Sequence, residues 1–218
     1  MAVDPSGRGH DETSFCVLKH LNGMLFLTSQ GGVVGGYDDD TLDKLVDTAR
    51  AQGVNTILVE SNFGDGMFVA LLKAALQRRK YLCQVEEVRH SKMKEQRIAD
   101  TLEPLMAQHR LVVCRTQVNA DFDTASEAGD VAYSLFYQMT RLTREKGSLK
   151  HDDRLDALAM AAAYWIEQMS QNSEDLFAKH LEKQRDAEFR KFIREVKNPN
   201  VGRASQRRTQ KRFVHLDR

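Results

Sequence analysis

The chain has 218 residues and a formal net charge of +1, a length that suits one domain with appendages or two small domains. This near-neutral charge does not by itself predict a nucleic-acid partner, and no apolar run approaches the length of a membrane-spanning helix. There is no signal peptide and no CxxC pair, so Cys16, Cys83 and Cys114 are predicted to be buried thiols of a soluble protein in a reducing compartment.

The beginning of the chain predicts a hairpin. Residues 1–5 resemble the end of a strand, and residues 14–21 and 24–28 predict two strands joined by the asparagine–glycine pair at 22–23, a strong hairpin signal. The glycine-rich segment 31–36 lacks the Gly-Lys-Ser/Thr ending of a phosphate-binding loop. It is therefore predicted to be a flexible connector in preference to a ligand-binding loop.

The middle of the chain alternates helix and strand patterns, and its end is helical. Helical spacing is present at 41–51, 67–78, 94–108, 131–144 and 174–197, and short apolar strands are predicted at 56–60, 82–88 and 111–114. Residues 119–130 are predicted to form a polar loop. The pattern predicts an α/β fold with a mixed central sheet flanked by helices and a helical C-terminal extension. We divide it into a domain at 1–170 and a charged helix with a basic tail at 171–218.

Acidic residues mark three places in this pattern. Asp152, Asp153 and Asp156 surround the start of an alanine-rich helix, whose small side chains allow close packing on a sheet. Either Asp152 or Asp153 can cap that helix, and Asp153 and Asp156 share one face of it. Asp4 and Glu60 each end a predicted strand, where ligands gather in open α/β sheets. Capping or solvent exposure explains any one of these acids, but the combination predicts a shared site.

Such carboxylates suit hard divalent cations, which prefer oxygen ligands. The set can hold two ions, one activating a water molecule and the other stabilising the leaving oxygen of a phosphodiester. Possible phosphate contacts near the acids are Arg8, Lys92, Lys94, Arg97, Lys150 and His151. A solvated surface charge is the alternative for each cation, and a hydrogen bond at the helix start is favoured for His151 over a metal or proton-transfer role. Asp65 is predicted to be a turn residue, and Tyr133, Phe136 and Tyr137 to be core.

The C-terminal part is basic. From residue 180 onward, twelve Lys or Arg residues outnumber five Asp or Glu residues. The most basic segment contains Arg203, Arg207, Arg208, Lys211 and Arg212. This tail is predicted either to bind DNA without sequence preference, to dock a partner protein, or to remain a disordered solvated segment.

Five groups of residues together resemble the nuclease domain of the large terminase subunit of tailed phages, especially the short-tailed podovirus type. They lie at 1–9 with 11–13, at 59–68, at 94–105, at 133–146 and at 151–159. The resemblance covers about residues 1–165. It implies a ribonuclease-H-like, resolvase-type fold and a metal-dependent endonuclease that cuts concatemeric double-stranded phage DNA during genome packaging.

The resemblance also implies roles for individual residues. By this resemblance, the catalytic ligands of two Mg²⁺ or Mn²⁺ ions are Asp4, Glu60, Asp153 and Asp156, with Asp152 assisting. The spacing of Asp153 and Asp156 is similar to that in Holliday-junction resolvases, so a structure-selective nuclease is one alternative. A DNA-docking or portal-docking module of the packaging motor is another.

The wider setting follows from the same resemblance. The implied partners are double-stranded DNA, the portal protein and the small terminase subunit, in the host cytoplasm and without a membrane. Large terminases also carry an ATPase with Walker motifs. No such motif is present among these residues, so the chain resembles a fragment, an excised domain or a split gene product without ATPase activity.

Overall fold

The structure, a computed structural model, describes residues 1–6, 12–61, 66–127, 129–170, 181–191 and 193. The chain divides into two units, Met1–Gln168 and Met169–Arg218. In the second unit residues 181–191 are helical, within the predicted charged helix, and the basic tail lies outside the described residues. The predicted division at residue 170 therefore stays a prediction. Among the described helices, none is long and apolar enough to cross a membrane.

The described residues of the first unit form one mixed sheet of six strands. The strands are β1 Ala2–Asp4, β2 Glu12–Leu21, β3 Met24–Val34, β4 Thr56–Glu60, β5 Gln84–Val88 and β6 Leu111–Val113. Their order across the sheet is β5-β4-β1-β2-β3-β6. The pairs β1–β2 and β2–β3 are antiparallel, and the other three pairs are parallel. Asn22 and Gly23 join β2 to β3 with φ angles of 50° and 78°, as the hairpin signal predicted.

Up to residue 170, the described residues form six α-helices. The helices are α1 Asp39–Gln52, α2 Met67–Arg78, α3 Lys94–Ala107, α4 Arg115–Glu127, α5 Leu135–Arg141 and α6 Asp153–Ser170. The start of α1 is capped by Asp38, whose carboxylate accepts a hydrogen bond from the Thr41 N–H at 2.7 Å. Gly53 ends this helix with φ of 63°, which is the left-handed geometry that glycine adopts without strain.

Alternation along the strands gives the sheet two different faces. Val3, Phe15 and Val59 pack in one core cluster with apolar side chains of α1 and α2. The opposite face carries α6: the Ser14 hydroxyl donates to the carbonyl oxygen of Asp153 at 2.7 Å, and the Trp165 indole donates to the carbonyl oxygen of Leu18 at 3.1 Å. Successive side chains of a strand point to opposite faces. Asp4 follows Val3 and Glu60 follows Val59, so both acids point toward the α6 side.

The prediction of a flexible glycine connector is wrong for its first part. Gly31 and Gly32 lie inside β3, where Gly32 pairs with Ser14 of β2. A Cβ on Gly32 would lie 1.9 Å from the Glu12 carboxylate, which crosses directly over this glycine. A glycine is therefore needed at position 32, because the Glu12 side chain occupies the space that a Cβ would fill.

Gly32→Ala is accordingly expected to destabilise the protein by about 1–3 kcal/mol, the usual effect of overpacking a buried site. Thermal unfolding followed by circular dichroism measures this change. In a Glu12→Ala background the added methyl group has nothing to displace, so the alanine at position 32 should then cost little. An equal cost in both backgrounds would contradict this explanation.

Other local predictions also need correction. Residues 119–130 were predicted as a loop, but most of them belong to α4. The predicted helix at 131–144 is interrupted: a 3-10 turn at Val131–Tyr133 is followed by α5, because Ser134 is extended and caps the new helix. The aromatic side chains predicted as core there are only half-buried. Of the three thiols only Cys16 is buried, Cys83 is half-buried and Cys114 is exposed.

Candidate metal centre

The two parallel strands β1 and β4 place two acids at the same edge of the sheet. Val3 of β1 is in register with Val59 of β4, so the next residues, Asp4 and Glu60, end their strands side by side. Both residues are buried, with relative exposures of 9% and 6%. Burying two carboxylates this closely is unfavourable unless a cation accompanies them.

The first turn of α6 adds a third acid. Asp156 is completely buried, and the carboxylates of Asp4, Glu60 and Asp156 each offer an oxygen within 4.8 Å of the others. Carboxylate oxygens at this spacing, supplied from three separate parts of the chain, suit one divalent cation. The structure thus brings together three of the four acids predicted as catalytic ligands.

Asp152 and Asp153 lie at the rim of this cluster. Their side chains are about a quarter exposed, and they are joined to the cluster through Lys94, whose Nζ lies 2.9 Å from Asp152 Oδ1 and 3.6 Å from Asp153 Oδ1. The sequence predicts Asp153 as a ligand ahead of Asp152, and this ranking stays a prediction. The structure gives the central position to Asp156, and both of the others are partly exposed neighbours.

Two cations of α3 enter the same cluster. Besides its contacts at the rim, Lys94 Nζ lies 3.2 Å from Asp156 Oδ2 and 3.5 Å from Asp4 Oδ2. Arg97 Nη2 donates to Asp156 Oδ2 at 2.9 Å and lies 3.7 Å from Glu60 Oε1. Both residues were predicted as DNA contacts. Their side chains are directed at the acids, and phosphate binding by them stays a prediction.

The charges of the cluster act strongly on each other. Burial raises the pKa of Asp4 well above its ordinary value, Lys94 opposes this increase, and Glu60 and Asp156 add to it. Burial alone would lower the pKa of Lys94, but the surrounding carboxylates outweigh it and raise that pKa. The lysine is therefore held in its charged form between acids that repel one another.

Among the described residues, no group donates a hydrogen bond to Oδ1 of Asp156. Asp156 Oδ1 is buried, and although Arg97 Nη1 lies only 2.8 Å away, the two atoms are not aligned for a hydrogen bond. A buried carboxylate oxygen in this condition is unfavourable in the absence of a ligand. The donor set therefore fits a metal ion that coordinates Asp156 Oδ1 together with oxygens of Asp4 and Glu60.

Three of the other predicted DNA contacts, Lys92, Lys150 and His151, fall within the described residues. Lys92 is exposed, and Lys150 is exposed and paired with Asp130. The His151 imidazole stacks on the Tyr133 ring with centroids 4.0 Å apart, an arrangement that the sequence did not predict. Arg8 and Asp65 lie outside the described residues.

A buried ion network that the sequence motifs did not indicate lies behind the site. The Arg154 side chain is 1% exposed and donates to both carboxylate oxygens of Glu12, at 2.6 and 2.8 Å, and to Asp121 Oδ1 at 3.1 Å. The available signal was an arginine within an otherwise small and apolar helix, because a buried arginine requires carboxylate partners.

His90 is a second residue that the sequence did not indicate. It follows β5, the neighbour of β4, and its buried Nε2 has no hydrogen-bond partner within the part of the chain that the structure describes. Burial lowers the pKa of His90, and the charge of Arg97 lowers it further. A neutral imidazole is therefore expected beside the acid cluster at neutral pH.

A cavity of about 420 Å³ opens at the other ends of the same strands. Its described lining includes Val17, His20, Thr56, Tyr164 and Trp165, but no aspartate or glutamate. Because it offers no carboxylate oxygens, the acid cluster is the better candidate for metal chemistry.

The chain is similar to known proteins in both sequence and fold. Residues 3–111 match the family described as Terminase Bacteriophage T7, Ribonuclease H-like domain. The large terminase subunit of Enterobacteria phage T3 is 47% identical over 167 residues, which cover 75% of this chain and 28% of that protein. The chain thus spans less than a third of that relative's length.

A solved structure supports the fold assignment. A mutant of gp2c of the large terminase subunit from bacteriophage Sf6, determined with calcium, has a TM-score of 0.51 and 13% identity, with coverage of 74% of this chain and 86% of the other. The predicted ribonuclease-H-like fold is confirmed, with a mixed sheet between helices. Because the family match takes in half of the residues, the chain belongs to the ribonuclease-H-like domain family of T7-type terminases.

Proposed function

We propose that the chain is a metal-dependent endonuclease that hydrolyses phosphodiester bonds of double-stranded DNA. The observation that carries this proposal is the cluster of three buried carboxylates, Asp4, Glu60 and Asp156, within 4.8 Å of one another. In the setting of a phage terminase, the substrate is concatemeric phage DNA, which the enzyme cuts during genome packaging in the host cytoplasm. The portal protein and the small terminase subunit are its proposed partners.

The proposed cofactor is a pair of Mg²⁺ or Mn²⁺ ions. Asp4, Glu60 and Asp156 would hold one ion, and Asp153, with Asp152 beside it, would complete a second position at the more exposed rim. The Sf6 protein of similar fold was determined with calcium, another hard cation that prefers oxygen ligands. When bound, such ions supply an activated water and stabilise the leaving oxygen.

The protein's own cations have a different task. Arg97 fixes the orientation of Asp156 through its hydrogen bond and approaches Glu60. Lys94 neutralises part of the negative charge and, at 31% exposure, can turn from the acids toward a phosphate oxygen. Lys92, Lys150, His151 and Arg8 are the proposed contacts to the DNA backbone, which carries no sequence information and gives binding without strong sequence preference.

Cleavage of supercoiled plasmid tests the proposed activity. Incubation with Mg²⁺ or Mn²⁺ should convert the plasmid to nicked and linear forms, and EDTA should prevent this conversion. Glu60→Gln should lower the rate at least about 100-fold, because it removes a charge that would bind the ion. Asp39→Asn, the matched loss of a carboxylate on the exposed surface of α1, should cut at the wild-type rate.

Two outcomes would contradict the proposed activity or change its substrate. A folded wild-type chain that cuts no DNA with either metal would contradict it. Faster cleavage of branched than of linear duplex would instead support the structure-selective alternative.

The position of Lys94 gives a further prediction. Lys94→Ala should lower the melting temperature of the metal-free protein, because the remaining carboxylates repel one another without the ammonium group. The increase in melting temperature on addition of Mn²⁺ should become larger, because the ion no longer competes with a fixed cation. Differential scanning fluorimetry with and without Mn²⁺ measures both effects. The neighbouring exposed Lys92→Ala is the control, and an equal response of both variants would count against the role of Lys94.

A further inference from the structure

The buried network around Arg154 has a geometric relation to the metal centre. Arg154 and Asp156 are two residues apart at the start of α6, and a helix has 3.6 residues per turn, so their side chains leave nearly opposite sides of the helix. Asp156 faces the acids, and Arg154 faces Glu12 and Asp121. A contact on one side of the first turn therefore fixes the rotation of the other side.

The arginine contacts are held firmly by their surroundings. Both Glu12 oxygens accept from Arg154, and Asp121 accepts from Arg154 Nη1, from the Ser134 hydroxyl at 2.6 Å and from the Leu135 N–H at 2.9 Å. The arginine, Glu12 and Asp121 are each less than 5% exposed. A planar guanidinium bound in this bidentate way defines an orientation that a flexible ammonium does not.

A second contact closes the arrangement on the same turn of α6. The Gln138 side chain of α5 accepts from the Leu155 N–H at 3.0 Å and donates to the Ala132 carbonyl oxygen at 2.9 Å. Asp121 also receives the first N–H groups of α5, so α4, α5 and α6 are joined in one ring of hydrogen bonds. The start of α6 is thereby attached to β2, α4 and α5 at once.

Rotation of this turn would matter for a metal site. A carboxylate about 5–6 Å from the helix axis moves by about 1 Å when the helix turns by about 10°. Metal–ligand distances are met within about 0.2 Å in a formed site. A lock on the rotation of α6 is therefore of direct use to Asp156.

We propose that Arg154, clamped between Glu12 and Asp121, is a positioning residue that sets the rotation of α6 and so holds Asp156 in place for the metal ion. This inference rests on the proposed function insofar as Asp156 is a metal ligand. It assigns to a buried ion network a role in metal affinity in addition to its role in stability.

The test compares three full-length chains by calorimetric titration with Mn²⁺ at a temperature where circular dichroism shows each to be folded. Arg154→Lys keeps the charge but loses the bidentate geometry, and is expected to weaken Mn²⁺ binding about 10- to 100-fold, as changes of supporting residues around metal ligands do. Leu72→Ala removes a buried side chain from the core on the other face of the sheet and is the control for a loss of stability alone. It should leave the Mn²⁺ affinity unchanged. Glu12→Asp, which shortens the other partner, replaces Arg154→Lys if the latter does not fold.

Hydrogen exchange without metal gives an independent readout. The amides of Leu155 and Asp156 should exchange faster in Arg154→Lys than in the wild type, whereas Leu72→Ala should not affect them selectively. Wild-type Mn²⁺ affinity in a folded Arg154 or Glu12 variant, or equal weakening by Leu72→Ala, would overturn the inference and leave the proposed function intact. If the wild-type chain takes up no Mn²⁺, the proposed function fails, and unchanged exchange at Leu155 and Asp156 would then overturn the positioning role as well.

Discussion

Asp4→Asn is expected to abolish metal-dependent DNA cleavage and at the same time to raise the melting temperature of the metal-free protein. The loss of cleavage, at least about 100-fold, follows from the removal of one of three clustered carboxylates. The gain in stability follows from the unfavourable burial of the same charge. An increase of about 2–4 °C is the change that about 1 kcal/mol produces in a domain of this size.

The pH dependence separates these two effects. Burial raises the pKa of Asp4 in the folded state above its ordinary value, so the folded protein binds this proton more tightly than the unfolded chain does. The stability of the wild type should therefore decrease as the pH rises from the ordinary range of an aspartate through the raised pKa. The Asp4→Asn substitution removes this contribution, so the difference in melting temperature should be largest at neutral pH and vanish near about pH 3.

Thermal unfolding in EDTA between about pH 3 and pH 8 measures this difference, and plasmid cleavage with Mg²⁺ measures the activity. Asp39→Asn again serves as the exposed control and should change neither quantity appreciably. A metal-free Asp4→Asn protein that is less stable than the wild type at neutral pH would contradict the electrostatic account, even if cleavage were lost.

Arg154→Met is expected to have the largest effect on stability, about 3–5 kcal/mol of lost unfolding free energy. The substitution keeps much of the side-chain length but leaves Glu12 and Asp121 without their buried cation. Urea denaturation followed by tryptophan fluorescence and circular dichroism gives the unfolding free energy. If the loss of unfolding free energy arises from the two carboxylates left without a cation, adding Glu12→Leu to Arg154→Met should recover part of it.

An exposed arginine provides the comparison. Arg144 pairs with Asp100 and Glu103, but all three side chains are largely solvent-accessible, so Arg144→Met should change stability by less than about 1 kcal/mol. A similar loss for Arg144→Met and Arg154→Met would show that burial is not the source of the effect.

The parts of the fold that were predicted correctly are those with a strong local signal. The asparagine–glycine turn, the apolar strand 56–60 and the periodic helix 67–78 are each specified by neighbouring residues, and all three are present. Asp4 and Glu60 were predicted to share a site because each ends a predicted strand, where ligands of open α/β sheets gather. The parallel pairing of β1 with β4, which brings them side by side, is seen only in the structure.

The errors concern features that depend on distant residues. The sequence around Gly32 is typical of a connector, and only the distant Glu12 side chain shows why a glycine is needed there. The sequence of α4 is polar, and its Asp121 is buried because it contacts Arg154 and the start of α5. Similarly, the spacing of Asp153 and Asp156 shows that they share a helix face, but not which of them is buried. The packing of α6 on the sheet decides in favour of Asp156.

The separation of the three acids along the chain has a consequence for protein synthesis. Asp4 and Glu60 leave the ribosome first, but Asp156 belongs to a helix that is made later and must pack across β2 before the cluster exists. A nascent chain that ends before α6 therefore lacks the third carboxylate, and the proposed nuclease gains its activity only after this helix has been added. The proposed metal site therefore cannot form before α6 has packed on the sheet.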